Sequence, residues 1–243
     1  MCTLSFVPKA DGYLLAMNRD EQRTRIKALP PTLHGDRGLP ALYPSEPGGG
    51  TWIGINGKGI SIALINWYSR PQLQGIPAFS RGSIIPGLLS LHTPDEMDRS
   101  LFSLPLARLN PFRLFIMGRE SDHVREYRSE RSGVIREDHA WKSSHWFSSG
   151  HDEVSANEKR GKVCRKASED TDSRTLAWLK RLHASHDPEA GADSICMHRD
   201  DAVTVSMTLL EVSKNIASMH YHDGAPCDAR GTLAHTTRMT LNF

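Results

Sequence analysis

A cysteine at position 2 and a charged cluster sixteen residues further on are the residues best suited to covalent chemistry. The sequence begins Met1-Cys2, and the cluster is Asn18-Arg19-Asp20-Glu21. Methionine aminopeptidases remove Met1 when the second residue is small, and Cys2 would then carry both a thiol and a free α-amino group. An α-amine has a pKa of about 7.7–8.0, so it can act as the base for its own side chain, as in N-terminal nucleophiles. We therefore predict that Cys2 is a catalytic nucleophile.

A predicted β-hairpin brings the charged cluster back to Cys2. Residues 3–7 and 13–17 have the composition of short strands, and Asp11-Gly12 between them is a strong hairpin-turn signal. If Asp11-Gly12 forms a two-residue loop, Cys2 faces Glu21, and a register slip of two residues still leaves Cys2 beside the cluster. An arginine and two carboxylates in this position are expected to hold the amine and to tune the pKa of the thiol, which the amine and Arg19 should lower. The alternative is a set of solvated charges at a strand end.

The composition sets limits on the class of protein. The chain has 243 residues, of which 38% are apolar, and it has a net charge of +2. We find no clear domain boundary and expect a single domain over residues 1–243. The balanced charge does not indicate a nucleic-acid partner, so the expected partner is a small-molecule substrate or ligand. The run Lys159-Arg160-Gly161-Lys162 is expected to be solvated surface.

The cysteines and the hydropathy indicate the cellular compartment. Cys2, Cys164, Cys196 and Cys227 are widely spaced and form no CxxC motif. The first residues lack a secretory signal, and no apolar run approaches the roughly 20 residues that span a bilayer. We therefore expect a cytoplasmic protein with reduced thiols and no membrane span.

The order of predicted elements indicates the fold class. A Gly/Pro-rich connection over residues 29–50 leads to a second hairpin, residues 51–65, in which Asn66 is expected opposite Gly49. Further elements are predicted as helices at 82–91, 93–103 and 171–183, strands at 112–117, 123–127, 141–148, 202–212, 216–222 and 238–243, and a polar loop at 148–162. Hairpins, then helices, then hairpins predict an α+β fold of antiparallel sheets with segregated helices.

Several motifs carry a resemblance to a known family. They are Met1-Cys2-Thr3, Asn18-Arg19-Asp20-Glu21, Gly49-Gly50-Thr51-Trp52-Ile53-Gly54-Ile55-Asn56, Asn66, Ser80-Arg81-Gly82 and Asn110-Pro111-Phe112. Over roughly residues 1–118 the chain resembles the NRDE family, the transport-and-Golgi-organisation proteins. That family is similar to the N-terminal-nucleophile hydrolases of the choloylglycine hydrolase and penicillin V acylase group. The resemblance implies a four-layer αββα sandwich of two antiparallel sheets.

The resemblance also implies roles for individual residues. Cys2 would be the nucleophile, with Asp20 holding its amine and Arg19 holding the thiolate or a substrate carboxylate. Asn66 matches the asparagine that donates to the oxyanion in those hydrolases, a contribution of roughly 10²–10³ in rate. Trp52 is expected to contact the substrate.

Two positions depart from the hydrolase pattern. Ser148-Ser149 stand where the hydrolases carry a second asparagine, and Val205 replaces a later arginine, for which Arg199 is the nearest substitute. Arg199 is therefore expected to bind substrate. Arg81 is expected to bind substrate for a different reason, because Ser80-Arg81-Gly82 could anchor an anion at the start of the helix that it precedes. Arg81 also fits an ordinary helix cap, because Ser80 precedes it.

A second group of residues could bind a metal. Cys196, His198, His220, His222 and Cys227 lie near one another in the sequence, and zinc coordination is geometrically possible. Their spacing matches no standard zinc signature, so we expect structural or surface histidines and no metal. The Gly-x-Gly pieces lie in hairpins rather than at strand-to-helix turns, and no cofactor is expected.

Two function classes remain open from the sequence. The first is an amidase-like enzyme in which Cys2 attacks an amide carbonyl and Asn66 stabilises the oxyanion. The second is a non-catalytic carrier that holds haem or a lipid-like acyl ligand in the same cleft. The set of Cys2, Asp20 and Asn66 favours the enzyme, whereas the missing second asparagine favours the carrier.

Overall fold

Two antiparallel sheets form the centre of the molecule. The computed structural model describes residues 2–35, 38–73, 75, 79–105, 108–130, 132–228 and 235–242. The strands are β1 (Cys2–Lys9), β2 (Gly12–Gln22), β3 (Leu29–His34), β4 (Ala41–Ser45), β5 (Ile53–Asn56), β6 (Ile60–Asn66), β7 (Phe112–Gly118), β8 (His123–Glu130), β9 (Gly133–Ala140), β10 (Ser144–Ser148), β11 (Ala202–Val212), β12 (Ile216–Asp223) and β13 (His235–Thr240). The first sheet has the order β10-β1-β2-β11-β12-β13, and the second has the order β3 to β9.

Helices cover the outer faces of both sheets. They are α1 (Ile84–Leu89), α2 (Pro94–Phe102), α3 (Glu153–Ala167) and α4 (Leu176–His183). One apolar core lies between the sheets, a second lies between the second sheet and α1 with α2, and a third lies between the first sheet and α3 with α4. These three cores confirm the predicted α+β fold with four αββα layers.

The β1–β2 hairpin has a register two residues away from the primary prediction. Cys2 pairs with Arg19, and Lys9 pairs with Gly12, so the loop is Ala10-Asp11. Gly12 lies inside the strand at a φ of 153°, where a Cβ atom would come within 2.0 Å of the carbonyl oxygen of Val212. Since side chains alternate along a strand, a shift of two residues leaves every side chain on its predicted face.

The β5–β6 hairpin departs from its predicted register by one residue. Ile53 pairs with Ala63, which leaves a three-residue loop instead of a Gly57-Lys58 centre. The side chain of Asn56 causes this turn, because its Oδ1 accepts hydrogen bonds from the backbone N–H groups of Lys58 and Ile60, both at 3.1 Å.

The helices show where the sequence prediction succeeds and fails. The capping box at Thr93 and Glu96 starts α2 as predicted. The polar loop predicted over residues 148–162 is wrong, because α3 begins there with Asp152 as its N-cap. Strands β3, β4 and β9 were not predicted. No helix in the described part of the chain is long and apolar enough to cross a membrane.

Candidate active site

The alternation of side chains along β2 divides the Asn-Arg-Asp-Glu cluster between two environments. Asn18 and Asp20 are fully buried on the face that packs against the helices, and Asn18 Nδ2 donates to the carbonyl of His183 on α4 at 2.8 Å. Arg19 and Glu21 lie on the opposite face, where they line a cavity. Asn18 and Asp20 therefore connect β2 to the helices, whereas Arg19 and Glu21 form part of the cavity wall.

The cavity beside Cys2 has a volume of about 320 Å³. Its wall combines residues from both sheets and from the turn that precedes α1. The lining residues used below are Cys2, Arg19, Glu21, Arg25, Glu46, Trp52, Asn66, Tyr68 and Arg81. Four of the predicted site residues besides Cys2 thus share one cavity: Arg19, Trp52, Asn66 and Arg81.

Cys2 lies at the start of β1, between Arg19 on β2 and Ser148 on β10. Only 7% of its surface is exposed. Burial raises the pKa of the Cys2 thiol, and the carboxylates of Asp20 and Glu21 raise it further. With Met1 present, burial outweighs the neighbouring positive charge. The depressed pKa was predicted for the chain without Met1 and stays a prediction.

Arg19 is held by two carboxylates and an aromatic ring. Its Nη2 lies 2.6 Å from Glu46 and 3.2 Å from Glu21, and its guanidinium lies 4.5 Å from the centre of the Trp52 ring. Such a position combines ion pairing with a cation–π contact. Arg19 is thus occupied by protein carboxylates, and the expectation that it holds the Cys2 thiolate gains no support from these contacts.

Asp20 is buried in a polar pocket on the helix side of the sheet. Its Oδ1 accepts a hydrogen bond from Thr204 at 2.7 Å, and its Oδ2 lies 3.7 Å from Nη1 of Arg160. Burial raises the pKa of Asp20, while the charge of Arg160 lowers it in part. Arg160 also donates to Thr3 Oγ1 at 3.0 Å and is fully buried. The expectation that Arg160 is solvated surface is wrong.

Asn66 stands at the last position of β6, on the opposite sheet from Cys2. On one side its backbone pairs with Phe112 on β7. On the other side the β5–β6 register is shifted by one residue, so the prediction that Asn66 lies opposite Gly49 is wrong. The side-chain Nδ2 donates to the hydroxyl of Tyr68 at 2.7 Å. The amide therefore has a fixed orientation at the edge of the cavity, as an oxyanion donor requires.

Two glycines bring Arg81 to the cavity. The backbones of Gly50 and Gly82 touch, since a Cβ atom on Gly50 would lie 3.2 Å from the carbonyl carbon of Gly82. Thr51 N–H donates to the carbonyl of Gly82 at 3.0 Å. Arg81 donates to the carbonyl of Pro111 at 2.9 Å, and burial lowers its pKa. Ser80 caps the short 3₁₀ turn that begins at Arg81, and the role of Arg81 in substrate binding stays a prediction.

Comparison with known proteins adds to this geometry. The model of the family Transport and Golgi organisation 2, or TANGO2, matches residues 1–219. The chain belongs to the TANGO2 family. Comparison with curated proteins gives no match.

The TANGO2 chain also has similar solved structures. A cysteine-to-alanine mutant of conjugated bile acid hydrolase from Clostridium perfringens has a TM-score of 0.57 at 10% identity, covering 100% of this chain and 97% of the hydrolase. An arginine-to-leucine variant of that hydrolase gives the same values. Penicillin V acylase from Agrobacterium tumefaciens has a TM-score of 0.54 at 9% identity, covering 92% of this chain and 86% of the acylase. At these identities the similarity shows the fold, which is that of N-terminal-nucleophile hydrolases.

Some predicted residues of this TANGO2 chain lie outside the Cys2 cavity. Arg199 is not among the described residues that line it, and its guanidinium lies 2.7 Å from Asp201. Val205 lies at a bulge in β11 and lines a neighbouring cavity of about 260 Å³, which shares Arg19. Ser148 is the strand partner of Cys2, so the serine pair does stand beside the nucleophile. Neither serine is among the described residues that line the Cys2 cavity.

Sequence reasoning missed residues in and behind the site, among them Glu46, Arg160 and Tyr68. Glu46 follows a proline-rich segment that showed no strand pattern. It begins a turn that Gly49 closes with a positive φ of 84°. Arg160 belongs to a helix whose buried positions are Ala156, Arg160 and Cys164, a four-residue spacing that was a usable signal. Tyr68 lies just beyond β6 and had no motif to mark it.

Proposed function

We propose that this TANGO2 family member is an N-terminal-nucleophile cysteine hydrolase. It cleaves an amide C–N bond of a small acyl substrate, with Cys2 as nucleophile after removal of Met1. The observation that carries the proposal is that Cys2 and Asn66, from different sheets, line the same cavity. A thiol and an amide donor facing one space are the nucleophile and the oxyanion donor that acyl transfer needs.

The solved structures with the same fold support this choice. Conjugated bile acid hydrolase and penicillin V acylase are both enzymes by name, and the bile acid hydrolase structures carry a substitution of a cysteine in one case and of an arginine in the other. Cys2 and Arg19 are residues of these two types in one cavity wall.

The proposed reaction has two steps. In the first, the Cys2 thiol transfers its proton to its own α-amine, and the sulfur attacks the amide carbonyl carbon. Asn66 Nδ2 donates to the oxygen that becomes negative; the C–N bond then breaks, the leaving amine takes the proton from the α-ammonium, and a thioester remains. In the second step water attacks the thioester, the amine takes its proton and returns it to the sulfur, and a carboxylic acid is released.

Asp20 has a positioning role in this mechanism. Its carboxylate lies on the helix face of the sheet and Cys2 packs on the other face. From there Asp20 supports the backbone end of β1, where the α-amine forms, rather than the thiol itself. Thr204 and Arg160 fix the carboxylate for that purpose.

The charges of the cavity indicate the substrate class. Arg19 and Arg25 are both paired with Glu46, whereas Arg81 forms no salt bridge with any residue that the structure describes. Arg81 is therefore the guanidinium proposed to receive an anionic group of the substrate, and Trp52 supplies an apolar wall. The volume is at the lower end of the range for ligand pockets, which favours a small acyl group.

The carrier of haem or a lipid-like ligand is the second candidate. It is favoured by one observation: Cys2 is 7% exposed, and burial raises the pKa of its thiol. A thiol in this state is a poor nucleophile. The enzyme needs removal of Met1, whereas the carrier does not.

A panel of N-acyl amides and a haem titration separate the two functions. Intact mass first establishes that Met1 is absent. Turnover by the wild type that Cys2→Ala and Cys2→Ser abolish, and that Cys164→Ala leaves unchanged, is the expected result. Cys164 is the matched control because it is also a buried cysteine but lies on α3, in the core between the helices and the first sheet. No hydrolysis of any amide, together with haem binding that survives in Cys2→Ala, would establish the carrier.

A further inference from the structure

Two cysteines and two histidines from three separate segments meet beside the first sheet. His186 follows α4, Cys196 and His198 precede β11, and Cys227 follows β12. One ligand atom of each residue, a cysteine sulfur or a ring nitrogen, lies within 4.8 Å of those of the other three. None of the four lines the Cys2 cavity, so the cluster lies outside the cavity of the proposed active site.

The distances within this cluster fit a tetrahedral metal centre. Zinc binds thiolate sulfur at about 2.3 Å and imidazole nitrogen at about 2.0–2.1 Å, which places sulfur and nitrogen about 3.6 Å apart in a tetrahedron. Nε2 of His198 lies 3.6 Å from the sulfur of Cys196 and 3.3 Å from the sulfur of Cys227. Nε2 of His186 is buried and has no hydrogen-bond partner among the described residues.

The backbone around the cluster is held in place by the protein itself. Cys196 N–H donates to the carbonyl of Ser185, and His198 N–H donates to that of Gly191, both at 3.0 Å. Between them, Met197 N–H donates to Thr204 Oγ1 at 2.8 Å. Cys196 and His198 are therefore held by backbone hydrogen bonds that need no metal, which lowers the entropy cost of ordering these two ligands when a metal binds.

Residues that sequence proximity grouped with this cluster belong elsewhere. His220 Nδ1 lies 3.0 Å from Thr236 Oγ1, and His222 Nε2 lies 3.1 Å from the carbonyl oxygen of Ala225. The fourth residue of the cluster is instead His186, which lies ten positions before Cys196 in the sequence.

We propose that His186, Cys196, His198 and Cys227 form a closed site for one divalent metal ion of the zinc class. Four protein ligands leave no open coordination position, so the site is structural rather than catalytic. The ion connects the loop between α4 and β11 to the segment that follows β12. Met197 N–H in that loop donates to Thr204, which donates to Asp20. The metal therefore also stabilises the position of Asp20 beside the strand that carries Cys2.

Metal analysis of the full chain tests this site. The protein is purified with a thiol reductant, incubated with zinc, dialysed, and analysed for bound zinc by mass spectrometry. A second sample is loaded with cobalt(II), which reports thiolate ligands by charge-transfer absorption. We expect one metal ion per chain, thiolate bands with cobalt, and a lower melting temperature after chelation.

Variants identify the ligands. Cys227→Ser and His186→Ala each change a partly exposed ligand and should weaken zinc binding more than about 100-fold, beyond the range for outer-shell changes. Cys164→Ala and His220→Ala are matched controls that should retain the metal. Substoichiometric zinc in the wild type, cobalt without thiolate bands, equal zinc in ligand variants and controls, or a Cys196–Cys227 disulfide in the reduced protein would each overturn the proposal.

Discussion

The guanidinium of Arg160 on α3 lies 3.7 Å from the carboxylate of Asp20 on β2, and both side chains are completely inaccessible to solvent. Replacing such a pair by apolar residues often costs little, but removing one partner leaves an uncompensated buried charge. Thr204 and Thr3 add hydrogen bonds to the two charged groups. This network joins α3 to the strand that carries Cys2, so its loss should lower both the stability and the activity of the protein.

Replacement of Arg160 tests that network. Arg160→Met should lower the free energy of unfolding by about 3–5 kcal/mol, because the buried Asp20 carboxylate would lose the compensating charge of Arg160. Urea denaturation measures the change. The matched control is Lys159→Met, since Lys159 is exposed and pairs with Asp193 at the surface; its effect should be much smaller, because water screens an exposed ion pair. Equal effects of the two substitutions would contradict the interpretation.

A second buried carboxylate should control stability in acid. Burial alone would raise the pKa of Glu126, but hydrogen bonds from Arg128, Arg113 and His139 outweigh burial and lower the pKa to about 2. A depressed carboxylate pKa stabilises the folded state above the unfolded pKa, and the contribution is lost as the pH falls from about 4.5 through about 2. At 1.36 kcal/mol per pKa unit the full contribution is about 3 kcal/mol.

The measurement is the free energy of unfolding at about pH 6 and at about pH 3. The wild type should lose roughly 2 kcal/mol more between these two values than Glu126→Gln does, because glutamine does not titrate. A parallel decline of both proteins would show that Glu126 does not control the acid transition.

Asn66 should affect the chemical step rather than substrate binding. Asn66→Ala should lower kcat by roughly 10²–10³ with little change in KM, since an oxyanion donor acts mainly in the transition state. Tyr68→Phe removes only the hydroxyl that accepts from the Asn66 amide, so it should lower kcat by less than Asn66→Ala, which removes the donor itself. Steady-state kinetics on an amide hydrolysed by the wild type distinguish the two. A rise in KM alone in Asn66→Ala would assign Asn66 to ground-state binding.

Removal of Met1 should activate the Cys2 thiol. With Met1 present, burial raises the pKa of both Cys2 and Cys164, the latter to about 12, so both should react slowly with iodoacetamide at neutral pH. A free α-amine on Cys2 would take the thiol proton and increase the rate at Cys2 alone. Peptide mapping after timed alkylation compares chains with and without Met1. Identical Cys2 rates in the two chains would argue against the α-amine as the base.

The sequence by itself determined the parts of the molecule that rest on local signals. The β1–β2 hairpin was predictable because alternating strands flank a turn, and a slip of two residues did not change which side chains share a face. The helix α2 was predictable from its capping box at Thr93. Cys2, Arg19 and Asn66 were identified by motif, and the structure brings all three to one cavity.

Only the tertiary structure decided which charges are buried and which distant residues meet. Arg160 lies in a run of charges that resembles solvated surface, and nothing local reveals that Asp20 lies across from it. Glu46 reaches Arg19 from a proline-rich segment. His186, Cys196, His198 and Cys227 converge because three segments pack at one end of the first sheet. Such contacts depend on how elements pack, and the hydrophobic period of each element records only which of its faces is buried.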